Sequence, residues 1–446
     1  MAERLFGTDG VRGKAGEPPL DAGTIRRLGV ALVRALPARP GASRLLVGRD
    51  TRESGAWIER ELAYGAAWAG AAVTSAGIIS TPAVAFLTRS VPFDAGVVIS
   101  ASHNPFQDNG IKVFSGAGEK FTEAFEAHVE TIIADRSWQV PDGAAGELEH
   151  RDFADKYLQH VRQALPDRER LGPFPIALDC ANGATTWLAP RLLCDMGFDV
   201  TAIACAPDGR NINLECGSTH PRALARVVVE RGARLGVAFD GDGDRAIFVD
   251  RQGRVVDGDA VMLMCAKHLK SAGRLRGDAI VATVMSNIGL ELALGEEGIG
   301  LVRCRVGDKY VMEEMVRRNL ALGGEQSGHI IFSDLLYTGD GLITALNVLQ
   351  VIAASGREMD ELAAEFMPYP QVLVNVRVRR KTDLREVPAI AGAIDRVEQR
   401  LEGHGRLLVR YSGTEPLLRI MLEGRDGGEI RQWAEEIADQ VRAHLG

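Results

Sequence analysis

The chain has 446 residues, of which 46% are hydrophobic and 25% are charged, and its formal net charge at pH 7 is −8. This composition is that of a globular protein long enough for about three domains of ~150 residues each, and the acidic balance argues against nucleic acid or an anionic membrane as a partner. No secretory leader pattern and no long apolar span is evident, so we expect a cytoplasmic location. The six cysteines include no CxxC pair, which favours reduced thiols over disulfides or a zinc site.

Helical patterns alternate with β-rich runs along the chain, and the alternation restarts near residues 173 and 278. Such alternation predicts α/β layering. Beyond the two prolines of MPYPQV, strands and helices of a smaller α+β segment follow. We therefore expect three similar α/β domains and a C-terminal α+β domain, with bounds at 1–152, 153–255, 256–368 and 369–446.

The segment VVISASHNPFQDNGIKVFS, residues 97–115, contains a serine that follows an apolar strand-like run. A run that breaks into small polar residues delivers Ser102 to the carboxyl end of a buried strand, where open α/β sheets place their chemistry. A serine before a proline-containing turn is, by itself, more often a turn former or a helix cap. The serine alone therefore does not indicate a functional site, and its interpretation depends on the other motifs of the chain.

A second apolar run, GVAFDGDGDRAIFVD at residues 236–250, is interrupted by Asp240, Asp242 and Asp244 with glycines between them. Carboxylates at alternate positions on a flexible backbone converge on one hard divalent cation such as Mg²⁺. The alternative is a solvated acidic turn, but the flanking apolar runs indicate that both ends are buried. Arg245 follows directly and offers a second positive contact, or else a surface or structural ion pair.

A third motif, GGEQSGHIIF at residues 323–332, presents Glu325, Ser327 and His329 on a glycine-hinged loop. Carboxylate and hydroxyl groups of this kind bind sugar hydroxyls. By itself the string is unspecific, because polar glycine loops are common.

A fourth motif, RYSGTEPLLRI at residues 410–420, is suited to phosphate. Arginine forks make bidentate contacts with phosphate, and hydroxyl and backbone groups between them add donors. The segment has no Walker lysine. The candidate phosphate-binding residues are Arg410, Ser412, Gly413, Thr414 and Arg419.

These four segments, in this order and with these spacings, resemble the α-D-phosphohexomutase superfamily, which is characterised by a phosphoserine loop, a DGDGD metal loop, a sugar loop and an SGT phosphate loop. The resemblance covers essentially the whole chain and implies four domains around a central active-site cleft, the last one hinged near Pro368 and Pro370. Further supporting strings are FGTDGVRG at 6–13, NINLECGSTHP at 211–221, VGDKYV at 306–311 and the glutamine Gln326.

The resemblance also implies residue roles. Ser102 carries a phosphoryl group as phosphoserine, Mg²⁺ is bound by Ser102 and the three aspartates, and a sugar bisphosphate acts as activator. The general acid and base are expected among Lys112, His329 and, next, His103, although each histidine is equally well a structural one. Arg12 contacts phosphate, or its glycine-rich turn merely seats the first strand. The remaining implied active-site and substrate-contacting residues are Thr8, Asp9, Asp308 and Lys309.

The activity implied by the resemblance is that of an intramolecular phosphotransferase of the isomerase class. It interconverts glucosamine 6-phosphate and glucosamine 1-phosphate through a bisphosphorylated sugar, for amino-sugar metabolism and peptidoglycan precursor synthesis. Relatives that act on mannose or glucose phosphates are the nearest alternative. An aspartyl-phosphate hydrolase leaves Ser102 and the SGT loop unexplained, and a non-catalytic sensor would need a disabling substitution that these loops lack. Bacterial relatives are commonly dimeric, which leaves a homodimer open.

Overall fold

The structure is a computed structural model that describes residues 5–7, 9–38, 40–143, 148–401, 403, 405–412 and 416–446. The chain folds into two compact units. The larger comprises Met1–Met285 with Ile299–Ala364, and the smaller comprises Ser286–Gly298 with Glu365–Gly446. None of the helices that the structure describes is long and apolar enough to cross a membrane.

The first layered segment of the larger unit contains a six-stranded sheet covered by helices. Its elements are β1 (Val11–Lys14), α1 (Ala22–Ala35), β2 (Arg44–Arg49), α2 (Gly55–Trp68), β3 (Ala72–Ile78), α3 (Thr81–Ser90), β4 (Ala95–Ile99), β5 (Asp108–Ser115), α4 (Glu123–Ala134) and β6 (Glu149–His150). The strands pair in the order β1-β5-β4-β2-β3-β6, and β2 is parallel to both β3 and β4. All five residues of β4 are buried, as expected of an apolar central strand. The candidate serine loop leaves the carboxyl end of β4.

The second layered segment contains a five-stranded sheet. Its elements are α5 (Ala154–Val161), β7 (Pro175–Asp179), α6 (Leu188–Asp195), β8 (Asp199–Ile203), α7 (Arg222–Arg231), β9 (Leu235–Phe239), β10 (Ala246–Asp250) and β11 (Val255–Val256). The strands pair in the order β11-β10-β9-β7-β8. Strands β9 and β10 are fully buried and antiparallel, with Phe239 opposite Ala246. The three aspartates therefore occupy the turn of a buried hairpin.

The third layered segment contains a four-stranded sheet in the order β13-β12-β14-β15. Its elements are α8 (Gly258–Ser271), β12 (Ala279–Thr283), α9 (Ile288–Glu296), β13 (Gly300–Cys304), α10 (Asp308–Arg318), β14 (Leu322–Gly324), β15 (Ile330–Phe332), α11 (Gly341–Ser355) and α12 (Met359–Ala363). Strands β14 and β15 are antiparallel, so the GEQSGH motif forms the connection between them. Helix α9 is the exception, because it belongs to the smaller unit.

The smaller unit is an antiparallel sheet in the order β16-β18-β17 that packs against two helices. Helix α9 is attached to it through Asn287, whose side-chain nitrogen donates to the Tyr369 carbonyl at 3.0 Å, and through the Ile288 amide, which donates to Glu423 at 3.1 Å. The other elements of the smaller unit are β16 (Gln371–Arg377), α13 (Pro388–Leu401), β17 (Gly405–Tyr411), β18 (Leu417–Gly424) and α14 (Gly427–Leu445). Short 3₁₀ helices of the chain lie at Arg162–Ala164, Arg168–Leu171, Arg276–Asp278 and Leu384–Glu386. The expected fold class, three α/β layers and a C-terminal α+β part, is confirmed.

Candidate active site

Ser102 lies three residues beyond β4 and is only 1% exposed. Its φ of +53° is in the left-handed region, which residues with a side chain rarely adopt. The hydroxyl donates to Asp240 Oδ2 at 2.5 Å, and its oxygen lies 3.4 Å from His103 Nδ1. The strained backbone thus turns the serine hydroxyl towards the aspartate loop.

The side chains of Asp240, Asp242 and Asp244 are buried together, and their ligand atoms lie within 4.8 Å of one another. One oxygen each of Asp242 and Asp244 is buried without a hydrogen-bond partner among the described residues. Such oxygens are costly unless something binds them. Burial raises the pKa of Asp240, and the two neighbouring carboxylates raise it further. An all-oxygen cluster with open ligand atoms fits a hard cation such as Mg²⁺.

Lys112 supplies the positive charge inside this cluster. Its Nζ lies 2.9 Å from Asp242 Oδ2, 3.1 Å from Asp9 Oδ2 and 3.3 Å from Asp244 Oδ2. Burial disfavours the charged ammonium, but these carboxylates outweigh burial and raise the pKa of Lys112 well above its ordinary value. The side chain is therefore protonated at neutral pH and suited to stabilise negative charge or to donate a proton.

A chain of ion pairs leads from Asp9 to His329. Lys120 contacts Asp9 at 2.5 Å and also Asp308, in an ion pair with Oδ2. Asp308 Oδ2 lies 3.5 Å from His329 Nε2, and His329 Nδ1 lies 3.6 Å from Asp244 Oδ2. Because Lys112 also contacts Asp9 and Asp244, the groups form a closed ring in which carboxylates alternate with Lys112, Lys120 and the His329 imidazole. Substituting one member therefore changes the electrostatics of the others.

The two candidate histidines differ in environment. Burial and, to a lesser extent, the nearby Arg245 and Arg12 together lower the pKa of His103 to about 4, so its ring is neutral at pH 7. Burial also favours a neutral His329, but the carboxylates beside it prevail and raise its pKa. The Gly339 amide donates to His329 Nε2 at 3.0 Å, which leaves Nδ1 to carry a proton towards Asp244.

Two arginines border the cluster. Arg12 contacts Asp9 Oδ2 at 2.5 Å and donates to the Ala101 carbonyl at 3.3 Å, at the base of the serine loop. The Arg245 amide donates to Asp240 Oδ1 at 3.1 Å. The Nε atoms of both arginines are buried without a hydrogen-bond partner among the described residues, and Arg245 Nε lies 3.8 Å from Asp244 Oδ1. Such donors suit an anionic ligand.

The predicted sugar loop, residues 323–332, contacts the start of α10. Glu325 Oε1 accepts from the Gly307 amide at 3.2 Å, and Ser327 Oγ donates to Glu325 Oε2 at 3.3 Å. Lys309, predicted as a substrate contact, has its ammonium buried in an ion pair with Glu126 at 3.1 Å.

The predicted phosphate loop lies in the smaller unit, at the connection between β17 and β18. Arg410 and Arg419 are direct cross-strand partners, and like charges in that position are destabilising. Ser412 donates its amide to the Leu417 carbonyl at 2.8 Å, and Lys381 donates to the Ser412 carbonyl at 2.7 Å. Two arginines at opposed positions beside the predicted loop suit an anionic ligand. The predicted residues Thr8, Gly413 and Thr414 lie outside the described residues.

Sequence reasoning missed several residues that contact the site. Thr81 donates its hydroxyl to Asp242 Oδ2 at 2.5 Å and its amide to the Asp242 carbonyl at 2.9 Å. Arg52 and Asn213 both donate hydrogen bonds to the Ser102 carbonyl. Signals for the latter two were present, because Arg52 lies in a polar string directly after β2, and Asn213 lies in the NINLECG string.

Fold and site together define an α/β enzyme of the phosphohexomutase class. Family models for α/β/α domains I, II and III and for the C-terminal domain of phosphoglucomutase/phosphomannomutase match in chain order. The matched residues are 3–140, 155–253, 257–369 and 373–440. The chain therefore belongs to the phosphoglucomutase/phosphomannomutase family.

Similar proteins extend over the full length of the chain. A phosphoglucosamine mutase of Solibacter usitatus is 49% identical over 447 residues, covering 100% of both chains. Another, of Geobacillus kaustophilus, is 47% identical over 449 residues and covers 99% of both. Among solved structures, a phosphoglucomutase/phosphomannomutase family protein from Burkholderia thailandensis has a TM-score of 0.81 at 24% identity, covering 100% of this chain and 99% of its own. An Aspergillus fumigatus N-acetylphosphoglucosamine mutase in complex with GlcNAc-6P and magnesium has a TM-score of 0.68 at 19% identity, covering 99% and 96%. At these identities, the structural likeness shows the fold.

Proposed function

We propose that the chain interconverts glucosamine 6-phosphate and glucosamine 1-phosphate through a phosphoserine at Ser102 and a bisphosphorylated sugar. The observation that carries the proposal is the Ser102 hydroxyl, 2.5 Å from Asp240 within a buried cluster of three carboxylates. The choice of an amino sugar is supported by the full-length relatives at 45–49% identity, which are named phosphoglucosamine mutases.

The proposed metal ligands are the three clustered aspartates and an oxygen on Ser102. The fit rests on the all-oxygen donor set and on one oxygen each of Asp242 and Asp244, which has no hydrogen-bond partner in the part of the chain that the structure describes. Mg²⁺, when bound, neutralises negative charge that develops on a transferring phosphoryl group. Chelation with EDTA should abolish turnover, and added Mg²⁺ should restore it. Turnover that persists in EDTA would overturn the metal assignment.

In the proposed transfer, the free hydroxyl oxygen of the sugar forms a bond to phosphorus while the bond between phosphorus and Ser102 Oγ breaks. The hydroxyl proton passes to a protein base. The bisphosphate then reorients, and its other phosphate returns to Ser102 Oγ as the departing sugar oxygen gains a proton. A sugar bisphosphate therefore also serves as activator, because it can phosphorylate Ser102 directly.

The surroundings of Lys112, His103 and His329 indicate which of them carries a proton before the transfer begins. Lys112 begins protonated because of the carboxylates around it, and it is our candidate for the acid. His103 begins neutral and lies 3.4 Å from Ser102 Oγ, so it can accept a proton. His329 lies between Asp244 and Asp308, where either direction of transfer is supported by a neighbouring carboxylate.

Substrate contacts are proposed in two groups. Glu325 and Ser327 bind the sugar, with Asp308 beside them at the start of α10, and two carboxylates there favour the positively charged amino group of glucosamine. Arg12 and Arg245 bind the phosphate that is transferred. The second phosphate is bound by Arg410, Ser412, Gly413, Thr414 and Arg419.

The test is a coupled assay of the purified protein with glucosamine 6-phosphate, glucose 6-phosphate and mannose 6-phosphate. The proposal predicts the highest kcat/KM for the glucosamine ester and loss of turnover in Ser102→Ala. A higher kcat/KM for glucose or mannose phosphate would support the alternative activity of the same family. A cytoplasmic location and a homodimer stay predictions that this assay does not address.

A further inference from the structure

Arg52 is among the largest fully buried side chains of the protein, and its guanidinium lies behind the Ser102 loop. Its Nη2 donates to the carbonyls of Ser102 and Asn104 at 3.0 and 2.9 Å, and its Nη1 donates to the carbonyl of Pro105. Its Nε contacts Asp50 Oδ2 at 2.9 Å. One planar group thus holds three carbonyls within four consecutive residues of the loop.

Asp50 connects this arginine to the other side of the Ser102 backbone. The Asp50 carboxylate accepts from the Arg52 amide at 2.9 Å and from Ser100 Oγ at 2.6 Å. Ser100 Oγ in turn accepts from the Ser102 amide at 2.9 Å. The amide and the carbonyl of Ser102 are therefore both fixed by groups that converge on one buried carboxylate.

A second donor reaches the same carbonyls from another layer of the larger unit. Asn213 Nδ2 donates to the Ser102 carbonyl at 2.8 Å and to the Asn104 carbonyl at 3.1 Å. Ser102 itself is in the left-handed region, with φ of +53°, a conformation that persists only where the surroundings impose it. Arg52 and Asn213 both donate to its carbonyl.

We propose that Arg52 is a positioning residue for phosphoryl transfer, acting on the nucleophile through the backbone of its loop. This inference rests on the proposed role of Ser102 as phosphoryl carrier. The guanidinium fork is required because its nitrogens bind oxygens in several fixed directions, whereas a lysine ammonium offers one nitrogen. Without the guanidinium, the loop loses the hydrogen bonds that fix its carbonyls, and the Ser102 hydroxyl oxygen moves relative to the carboxylates of the aspartates.

The test compares Arg52→Lys with wild type in steady-state turnover and in single-turnover transfer of phosphate from labelled phosphoenzyme to sugar phosphate. A misplacement of about 1 Å costs on the order of 100-fold in rate. We expect the transfer rate and kcat to fall by about that factor, with KM changed by less than about threefold. A loss confined to KM would overturn the proposal, because positioning acts on the transfer step.

Arg168→Lys is the matched control. Its guanidinium also binds three carbonyls, those of Met196, Gly172 and Gly197, but none of them belongs to the candidate site. We expect this variant to keep wild-type kcat even if it melts at a lower temperature. Assays run well below both melting temperatures separate positioning from stability.

Asn213→Ala decides the question if Arg52→Lys does not fold, because it removes a donor to the same two carbonyls. If Arg52→Lys folds, a reduced single-turnover rate in that variant supports the proposal and a wild-type rate overturns it. If it does not fold, the single-turnover rate of Asn213→Ala decides in the same way. If wild type itself shows neither phosphoserine nor mutase turnover, the proposed function fails and the positioning role fails with it. If wild type is active and Arg52→Lys matches it, only the positioning role fails.

Discussion

Lys112 is the counterion of a buried carboxylate cluster, and its replacement by methionine should have a measurable cost. The ammonium is 2% exposed and lies within 3.3 Å of an oxygen of Asp9, Asp242 and Asp244. Removing one partner of a buried ion pair costs about 3–5 kcal/mol, since the remaining charge is left uncompensated. Because three carboxylates share this lysine, we expect Lys112→Met to lower the free energy of unfolding by about 4–5 kcal/mol in EDTA. Saturating Mg²⁺ should recover part of this loss, because a bound cation replaces the missing charge.

The assay is urea unfolding followed by circular dichroism, in EDTA and in Mg²⁺, for wild type and variant. Lys14→Met is the control, because this lysine is exposed and pairs with the exposed Glu17, so no measurable change in the free energy of unfolding is expected. A decrease in unfolding free energy below about 1 kcal/mol for Lys112→Met in EDTA would refute the claim that Lys112 compensates the buried carboxylates. So would a loss that Mg²⁺ leaves unchanged.

Three further predictions concern other parts of the molecule. Burial raises the pKa of Asp340 to about 6, so the folded state binds this proton more tightly than the unfolded state, and stability falls as pH rises from about 4 through about 6. Wild type should lose about 3 kcal/mol of unfolding free energy between pH 4 and 7 through this group, and Asp340→Asn should not show that loss in urea unfolding. An unchanged pH dependence in the variant would contradict this. A Cβ at Gly241 would lie 2.5 Å from the Ser102 carbonyl oxygen, so Gly241→Ala should reduce kcat strongly, whereas Gly295→Ala, with nothing within 4 Å, should leave kcat unchanged. Arg419→Ala should lower kcat/KM by about ten- to hundredfold, equivalent to about 1.5–3 kcal/mol, with unchanged phosphoserine content, and an unchanged kcat/KM would place the second phosphate elsewhere.

The fold class was predictable because its signals are local. The apolar run of β4 and the hairpin strands β9 and β10 are buried along their whole length, as continuous hydrophobic runs predict. Their polar ends then place Ser102 and the aspartates at strand termini. The meeting of these two loops was implied by the family resemblance, and the structure gives the distance between Ser102 Oγ and Asp240 Oδ2 as 2.5 Å.

Other features depend on contacts between residues far apart in the sequence. Helix α9 belongs to the smaller unit because Asn287 binds Tyr369, 82 residues later, and no local pattern encodes that pairing. The motif around Lys309 indicates a substrate contact, and its ion-pair partner Glu126, 183 residues away in the sequence, is not encoded by any local pattern. The direction of each pKa shift likewise depends on burial and on charges brought together only by folding.

The most direct test of the central claim is to follow phosphate on Ser102. Intact-mass measurement and peptide mapping of the purified protein should find phosphate on this serine. Brief incubation of labelled phosphoenzyme with glucosamine 6-phosphate should move the label to the sugar at a rate no slower than kcat. Mutase turnover without phosphate on Ser102, or wild-type activity in Ser102→Ala, would contradict the account.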